Sequence, residues 1–597
     1  MTRRISTILV QWLFPAVAVL AVLGIAFVIL APRLVSIEVV RRSMSREIAG
    51  WSGRSLVFDG TPTVTLTPRL TVSFPKARIT SNRDGTTLVE MDELRAEVPF
   101  LPLLFRGRIE PSAFIFRHPR FTIAVDNEGG ANWDLPSGLN AGSPLHFLTL
   151  IDGSIDYSDA SGRHIVIDAI DADLALRDPH GNASIQGTAR WKGERSTFYG
   201  TLNSPADLLD GKSADISLAL ESRLLRGAFE GSLRRLNGLA ATGELTLATT
   251  SLTDLAQLSS VSLGRMPRLG AASVSSSASL VGGTLALGGA VLTIDGNQGV
   301  GALSMKFDAR PSVQATLAFD SLDLSLYLKA IRDLLVSAQR APDAPLDWPR
   351  FDAVDADLRI SAEQIKIDDS QLGRIAASLA LRNGRLDLAI GDMQIYGGHV
   401  TASLSADMLG APSGMLQARL DSMPLSTALN NISGITALDG TLEGTISLQA
   451  RGESWNALLA SITGRGNIAV REGTLSGINL SVLTASTAPP ASLEAKLFNG
   501  ETPFTAAKAD LIVGGGSLVA RNATVEGTDF SAEMTALMRL GEPQIMARGT
   551  ARLGGERQPP LGVPFEIGGR FAQPILTPDF VGARPLAADA PATSPAP

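Results

Sequence analysis

The chain has 597 residues, of which 52 are basic, 59 acidic, five histidine and none cysteine, and its net charge is −7. The lack of cysteine excludes disulfide scaffolds, iron–sulfur clusters, thiolate zinc sites and cysteine nucleophiles, and the acidic balance without a basic block argues against nucleic-acid binding. Charged residues make up only 19%, and mean hydropathy is +0.17. Such a sparsely charged, apolar chain predicts many short strands and more apolar surface than an ordinary soluble enzyme carries.

An uncharged apolar run covers residues 8–31, with Gln11 as its one strongly polar side chain. At about 1.5 Å per residue the run is long enough to cross a hydrocarbon core of about 30 Å, and Trp12 is placed as an interfacial anchor. The alternative is a cleaved signal peptide, which needs a shorter apolar segment and a small-residue cleavage site. We therefore predict an uncleaved transmembrane anchor. Its orientation stays open at this point, because more arginines follow the run than precede it, yet large domains translocate largely regardless of flanking charge.

Beyond residue 60 apolar and polar residues alternate, which is typical of strands with one apolar face. The dipeptides Asp59-Gly60, Asp152-Gly153, Asn383-Gly384 and Asp439-Gly440 separate the alternating runs and predict tight hairpins. Apolar alternates of these runs are candidates for the lining of a hydrophobic groove. They are Leu70, Val72, Phe74, Phe121, Ile123, Val125, Ile216, Leu218, Leu220, Leu303, Met305, Phe307, Leu379, Leu381, Leu386, Leu388 and Ile390.

Helical patterns are few and short, and the clearest covers residues 322–339. With so few helices to cover it, a one-sided sheet is predicted to curl into a groove or barrel. A transmembrane barrel would need aromatic girdles, whereas aromatic residues are only 5% of this chain. We predict five segments: a membrane anchor and juxtamembrane helix at 1–50, β regions at 51–200, 201–345 and 346–580, and a disordered Pro/Ala-rich tail at 581–597.

Residues capable of catalysis or metal binding do not cluster along the sequence. The Gly-rich segment 514–517 fits a hairpin loop better than a nucleophile elbow, and Gly464-Arg465-Gly466 is interpreted as a turn rather than a dinucleotide site. Acidic residues alternate at 168–173 and 352–357, as on a solvated strand face. The histidines have no metal-ligand spacing; they are His118, His146, His164, His180 and His399. We predict no enzymatic activity, no cofactor and no metal site. An enzyme would require the fold to bring two carboxylates or two histidines into one deep pocket.

Four segments, taken in order, resemble the AsmA family of bacterial envelope proteins. Residues 117–123 (RHPRFTI) with 126–133 (DNEGGANW) match one family motif, and residues 150–157 (LIDGSIDY) match the hairpin that follows it. Residues 393–398 (MQIYGG) and the unit that runs from 462 to 478 match two more. Their glycines, Gly129-Gly130 and Gly397-Gly398, are predicted to supply positive φ at hairpin corners, and Trp133 is predicted to cap a sheet edge or to pack under a turn. The resemblance extends from the anchor to about residue 580.

The resemblance implies a fold, a location and a function. The fold is mostly β: an N-terminal transmembrane helix followed by a long twisted antiparallel sheet curled into a hydrophobic groove, with a few short helices. The location is the inner membrane, crossed once by residues 8–31, with the body in the periplasm. The expected partner is a phospholipid or another envelope lipid, with an outer-membrane or periplasmic protein as a further partner, and the expected function is lipid transport or outer-membrane biogenesis. The alternative is a periplasmic scaffold that assists outer-membrane protein assembly without carrying lipid.

Overall fold

The structure is a computed structural model that describes residues 55–586. Its gaps are 66–69, 82–84, 100–110, 126–131, 133–146, 160–163, 177, 179, 237, 259–267, 308–309, 347–353, 408–411, 434–437, 486–493, 543, 556–558 and 572. The anchor expected at 8–31 lies outside the described residues, as do Gly129-Gly130, Trp133, His146 and the end of the tail. Among the helices in the described ranges, none has the length and apolar character needed to span a membrane.

The chain forms two compact units, Met1–Leu258 with Ala271–Ala290, and Ser259–Gly270 with Val291–Pro597. Strands dominate the first unit. They are β1 (Ser55–Phe58), β2 (Thr63–Thr65), β3 (Leu70–Thr80), β4 (Thr87–Val98), β5 (Ala113–Arg117), β6 (Arg120–Val125), β7 (Phe147–Asp159), β8 (His164–Leu176), β9 (Asn182–Trp191), β10 (Glu194–Asn203), β11 (Ser213–Ser222), β12 (Leu225–Leu236), β13 (Gly238–Thr249) and β14 (Ala272–Val281). The helices of this unit are α1 (Pro205–Leu209) and α2 (Leu252–Leu258).

Strand β15 (Thr284–Ile294) has residues in both units. The strands of the second unit are β16 (Asn297–Lys306), β17 (Ser312–Asp323), β18 (Asp355–Ile367), β19 (Ser370–Leu372), β20 (Ile375–Arg382), β21 (Arg385–Ile395), β22 (Gly398–Asp407), β23 (Ser413–Pro424), β24 (Leu438–Arg451), β25 (Thr463–Ser476), β26 (Glu501–Gly514), β27 (Ser517–Glu526), β28 (Phe530–Arg539), β29 (Ile545–Leu553), β30 (Leu561–Arg570), β31 (Gln573–Pro578) and β32 (Arg584–Pro585). Its helices are α3 (Ser325–Arg340), α4 (Leu425–Ser433), α5 (Trp455–Ser461), α6 (Ser481–Thr484) and α7 (Glu494–Leu497).

The prediction of a mostly β protein with a few short helices is confirmed, but the sheet is mixed rather than wholly antiparallel. Strand β7 pairs in parallel with β5 and β6, and β17 pairs in parallel with β18. Parallel neighbours need a crossover connection, and α3 supplies one between β17 and β18. The helix predicted at 322–339 begins at Ser325, because Leu322 still pairs with Ile365 of β18.

The predicted turns divide into hairpins and bulges. Asn383 and Gly384 have φ of 51° and 73° and form a two-residue hairpin, and Gly515 and Gly516 do the same. The other turn predictions are wrong. Asp152-Gly153 and Asp439-Gly440 lie at register shifts inside β7 and β24, because a bulge accepts the same residue types as a turn. Asp59-Gly60 joins two strands that both pair with β3, and Gly464-Arg465-Gly466 lies inside β25.

Strands β1 to β5 enclose the closed core of the first unit. Phe74, Leu94 and Phe114 have no exposed surface, and they pack with residues such as Val72 and Phe116. Smaller core clusters lie in the second unit, for example the cluster around Phe319 and Ile365. The closed core at the start of the first unit contrasts with the half-exposed apolar residues of the second unit.

Candidate functional site: an apolar sheet face

Six leucines lie side by side across six neighbouring strands of the second unit. Residues paired directly across antiparallel strands, or in register across parallel ones, share a sheet face. This leucine row consists of Leu358, Leu379, Leu388, Leu404, Leu416 and Leu448, on β18 and β20 to β24. Five of the six are half-buried, and Leu416 is 37% exposed. The row is therefore apolar surface that water can reach, not a closed core.

Parallel rows of small and branched residues extend the leucine row into a wide apolar face. One such row follows the same strands on to β26 and consists of Ile360, Ala377, Ile390, Ala402, Ala418, Ile446, Gly466 and Leu511. A cleft of about 1070 Å³ crosses the same strands, and its lining combines Ile390, Ala402 and Leu511 of this row with residues of the opposite face such as Gln417 and Arg465. The volume slightly exceeds the usual range for small-ligand sites, about 300–1,000 Å³.

The opposite face of the same strands is polar. Asp387 lies next to Leu388 along β21 and pairs across the sheet with Ser405. The Ser405 hydroxyl donates to the Asp387 carboxylate at 2.6 Å, and this bond, supported by Arg385, lowers the pKa of Asp387. Near the end of the same strand, a hydrogen bond from His399, with Arg374 alongside, lowers the pKa of Asp392. Carboxylates kept charged by such partners suit a face that stays in water.

Glycines inside the strands indicate towards which side the sheet bends. On the apolar face, a Cβ added at Gly464 or Gly466 would clash with a carbonyl oxygen of β24, and one at Gly444 would come within 2.8 Å of the Asn467 oxygen. On the opposite face, a Cβ at Gly568 would meet nothing within 4 Å. Side-chain positions of neighbouring strands converge on the concave side of a curved sheet, and glycine permits that close approach. We infer that the apolar face is concave, so that it forms a groove-like surface.

A separate apolar pocket of about 480 Å³ lies near the C-terminal end of the second unit. Its lining includes Leu483 of α6 and Leu497 of α7, and Met534 and Phe565 from the sheet. Leu483 and Leu497 are almost fully buried against Leu553 and Val563. The two short helices thus cover one end of the apolar face and leave a mostly apolar space beneath them.

The predicted groove residues of the second unit share the apolar face. Leu379 and Leu388 belong to the leucine row, and Leu303 continues it through Ala315 of β17. Met305, Leu381 and Leu386 lie in the row on one side of it, and Ile390 lies in the row on the other. Phe307 follows β16 and is 46% exposed. Lipid contact by these residues stays a prediction.

The predicted residues of the first unit also share one face, but their exposure differs. Leu70, Val72 and Phe74 are buried in its closed core. Phe121 packs partly against that core, and Phe121, Ile123 and Val125 are half-buried. Ile216, Leu218 and Leu220 pair with Leu202, Gly200 and Phe198 of β10, and Leu218 is 44% exposed. The apolar face of this unit therefore opens only after its first strands.

Four of the six leucines in the row were not predicted from the sequence. Leu404 and Leu448 lie in runs that alternate apolar and polar residues, so the signal that identified Leu388 was present for them too. Leu416 follows Met415, which points to the opposite face, and this apolar pair hides the period of two. The glycines at 464 and 466 give no sign in sequence that they face the same surface.

The acidic and histidine residues considered for chemistry are dispersed among ion pairs. Asp168 binds Arg190 at 2.7 Å, Asp355 binds Arg310 at 2.8 Å, and His164 binds Asp156 at 2.7 Å. His118 contacts Asp92 and Asp152 at 2.9 and 3.5 Å, in an exposed position. Within the ranges that the structure describes, no three acidic or histidine residues are placed to hold a metal ion. The absence of enzymatic activity stays a prediction.

The motifs that carry the family resemblance build strand junctions. His118 has φ of 49°, and its backbone N–H donates to the Ile151 carbonyl at 2.9 Å, so that the break between β5 and β6 faces the bulge at Asp152. The Asn132 side chain accepts from the Ala124 N–H at 2.9 Å, which extends the hydrogen bonding of β6. The prediction for Gly397-Gly398 needs correction, because the positive φ values belong to Tyr396 and Gly397.

Gly398 serves a different purpose from the one predicted. It begins β22, and a Cβ there would lie 2.6 Å from the Met423 backbone. A side chain at this position would therefore separate β22 from β23.

These features define a β-sheet protein with one polar face and one apolar, groove-like face. The AsmA family model matches residues 333–522. The match confirms the resemblance read from the sequence for about a third of the chain. The matched range contains the segments at 393–398 and 462–478 and all six residues of the leucine row. Comparison with curated proteins gives no match, and neither does comparison with solved structures.

Proposed function

We propose that this protein is a lipid carrier of a bacterial envelope, anchored in the inner membrane by residues 8–31, with its body in the periplasm. Its apolar face holds the acyl chains of phospholipid or another envelope lipid, while head groups stay in water. In this way it supports lipid transport or outer-membrane biogenesis. The observation that carries the proposal is the leucine row, an apolar and water-accessible stripe inside the segment assigned to the AsmA family.

The dimensions of the leucine row suit an acyl chain. Its six strands, about 4.8 Å apart, place Leu358 and Leu448 about 24 Å from each other. One leaflet contributes half of a hydrocarbon core of about 30 Å, so the row exceeds the depth that one acyl chain occupies in a membrane. Burial of each CH₂ is worth about 0.8 kcal/mol. A lipid can therefore be held by the row without a specific polar contact.

The uniformity of the face favours movement over storage. Leucine follows leucine from strand to strand, and the neighbouring row repeats alanine, glycine and isoleucine. A chain that shifts by one strand meets the same kind of contacts, so successive positions have similar binding free energies. Shallow and repeated binding of this kind suits passage along a surface, whereas one deep pocket would trap the ligand.

The experiment is photo-crosslinking in cells from the full-length protein. A benzophenone amino acid replaces Leu379, Leu404 or Leu448 in the row, and Ser403, which is exposed on the opposite face of β22, is the matched control. We expect lipid adducts, identified by mass spectrometry, from the row positions and not from Ser403. Lipid adducts at none of the row positions would refute the proposal.

A second candidate function, the periplasmic scaffold, is favoured by a row of apolar residues on the opposite face of strands β26 to β29. Ile512, Val519, Leu537 and Met546 pair in sequence across β26 to β29, and Ile512 and Met546 are 40% and 60% exposed. Exposed apolar patches of this kind are typical of protein interaction sites. The scaffold predicts protein adducts from Met546 in the same crosslinking experiment and no lipid adduct from the leucine row.

A further inference from the structure

Helix α3 connects two parallel strands, so the connection must run from the end of one strand back to the level at which the next strand begins. We call the line of strand ends that includes Asp323, Ile367 and Ile395 the upper rim, and the line that includes Asp355 and Arg451 the lower rim. Strand β17 ends at the upper rim and β18 begins at the lower rim. The connection, which includes α3, must cross one of the two sheet faces.

Hydrogen bonds between β17 and β18 tell which face the connection crosses. The Asp355 N–H donates to the Pro311 carbonyl, and the Leu324 N–H donates to the Lys366 carbonyl, at 2.9 and 2.8 Å. In a parallel pair, every second residue of a strand directs its backbone N–H and C=O groups towards a given neighbour. On β17 the residues that bond to β18 in this way are those with side chains on the apolar face. For L-amino acids this places β18 to the right of β17 when the apolar face is viewed with β17 pointing up. Crossovers between parallel strands are right-handed in about 98% of cases, which places α3 in front of that face.

The length of the connection agrees with this placement. Helix α3 is about 24 Å long, and residues 341–345 add at most about 17 Å. Over a flat sheet, the path from Lys366 to Arg451 covers about 36 Å along the strands and five strand spacings of about 4.8 Å, or about 43 Å in all. The two lengths are about equal, so the connection has little slack for a detour and takes a direct path across the apolar face.

Both ends of the connection are fastened to the sheet. At the upper rim, the Tyr327 hydroxyl donates to Asp295 at 2.9 Å, and Arg332 pairs with Asp368 at 3.0 Å. At the lower rim, the Leu346 N–H donates to the Glu453 carbonyl at 2.7 Å. There the Asn456 amide also donates to Asp343 at 2.8 Å.

Helix α3 is amphipathic, and much of its apolar surface is open. Ile331 and Leu335 are 51% and 41% exposed, next to the half-buried Leu334. Lys329 and Arg340 lie on the opposite side of the helix. The helix crosses the half-exposed apolar face of the sheet. Its exposed Ile331 and Leu335 therefore add a second apolar surface next to that face.

We propose that α3 is the roof of a short acyl-chain tunnel, with the leucine row as its floor. The inference rests on the proposed function and adds to it. Acyl chains that occupy β18 to β24 lie between Ile331 and Leu335 above and residues such as Leu388 below. A lipid head group, which stays in water, must pass beside α3 or displace it. Helix α3 therefore limits how lipids move along the apolar face.

The test places the benzophenone amino acid at Ile331, Leu335, Leu388 or Lys329 of the full-length protein in cells. Lys329 is the matched control, since it is exposed on the other side of the same helix. We expect lipid adducts from Ile331, Leu335 and Leu388, at least five-fold above the yield from Lys329. Thermal unfolding of each purified variant checks that the fold is intact.

Each other outcome counts against a defined statement. Adducts from Leu388 without adducts from Ile331 and Leu335 would overturn the roof and leave the proposed function standing. Equal yields from Ile331 and Lys329 would mean that α3 lies in a lipid environment on all sides, which also overturns the roof. Absence of lipid from all four positions would overturn the proposed function itself.

Discussion

Replacing Leu388 by aspartate separates an open groove from a closed core. Leu388 is half-buried between Leu379 and Leu404. Full burial of a leucine is worth about 1.5–3 kcal/mol, so Leu388→Asp forfeits about 1–1.5 kcal/mol, and its carboxylate remains in contact with water. Leu94 is completely buried in the first unit. Leu94→Asp loses the full burial energy and also buries a polar group without a partner, which together exceed about 4 kcal/mol.

Urea unfolding followed by circular dichroism measures both variants, with Ser403→Asp on the polar face as the control. We expect Ser403→Asp to be close to neutral, Leu388→Asp to be mildly destabilised and Leu94→Asp to be largely unfolded. Lipid that copurifies with the folded Leu388→Asp protein should fall by about tenfold or more, since an uncharged polar group facing an acyl chain already costs about 1–3 kcal/mol and a carboxylate costs more. A Leu388→Asp variant as unstable as Leu94→Asp would mean that the leucine row is core. Unchanged lipid content would mean that the row is not the binding surface.

Three further predictions concern the curvature of the sheet and the fastening of α3. Gly464→Ala should destabilise the second unit by about 1–3 kcal/mol in urea unfolding, because its Cβ meets a neighbouring carbonyl oxygen. Gly568→Ala, on the opposite face, should be tolerated, because its Cβ meets nothing within 4 Å. Equal costs would contradict the inferred curvature. Burial and the hydrogen bond to Asp295 raise the pKa of Tyr327 to about 12. This contact therefore contributes fully to stability below pH 10 and is lost as pH rises through 12. Ultraviolet titration should show a tyrosine ionisation near pH 12 that Tyr327→Phe removes; its persistence in that variant would contradict the contact. The double variant Asp343→Cys with Asn456→Cys should form a disulfide in this cysteine-free chain, because the two native side chains are hydrogen-bonded to each other. Mass spectrometry before and after reduction detects the disulfide. Failure of the two cysteines to oxidise would contradict the attachment of the connection at the lower rim.

Features that depend only on neighbouring residues in the chain could be predicted from the sequence. Alternation identified Leu379 and Leu388 as members of one face, because successive strand side chains point to opposite sides whatever their neighbours are. Asn383-Gly384 formed the expected hairpin, since its two positive φ values suit those two residues. Asp152-Gly153 did not, because only the register with β8 decides between a turn and a bulge.

The parts that sequence reasoning could not supply depend on long-range pairing. The leucine row exists only because six separate strands share a register, and nothing within β24 indicates that Leu448 aligns with Leu358. The position of α3 over the apolar face follows from the parallel pairing of β17 with β18. In the chain, 31 residues lie between the end of β17 at Asp323 and the start of β18 at Asp355. The burial of Phe74 and the exposure of Leu218 likewise depend on what packs above each residue, not on its own pattern.

The most direct test of the central claim is a comparison of two neighbouring residues on β22. The chain contains no cysteine, so Leu404→Cys and Ser403→Cys each carry a single fluorophore, one on the apolar face and one on the polar face. The full-length proteins are mixed with vesicles that contain a phospholipid with a nitroxide on its acyl chain, and quenching is recorded. We expect strong quenching at residue 404 and little at residue 403. Equal quenching at the two positions, or none at residue 404, would contradict lipid binding by the apolar face.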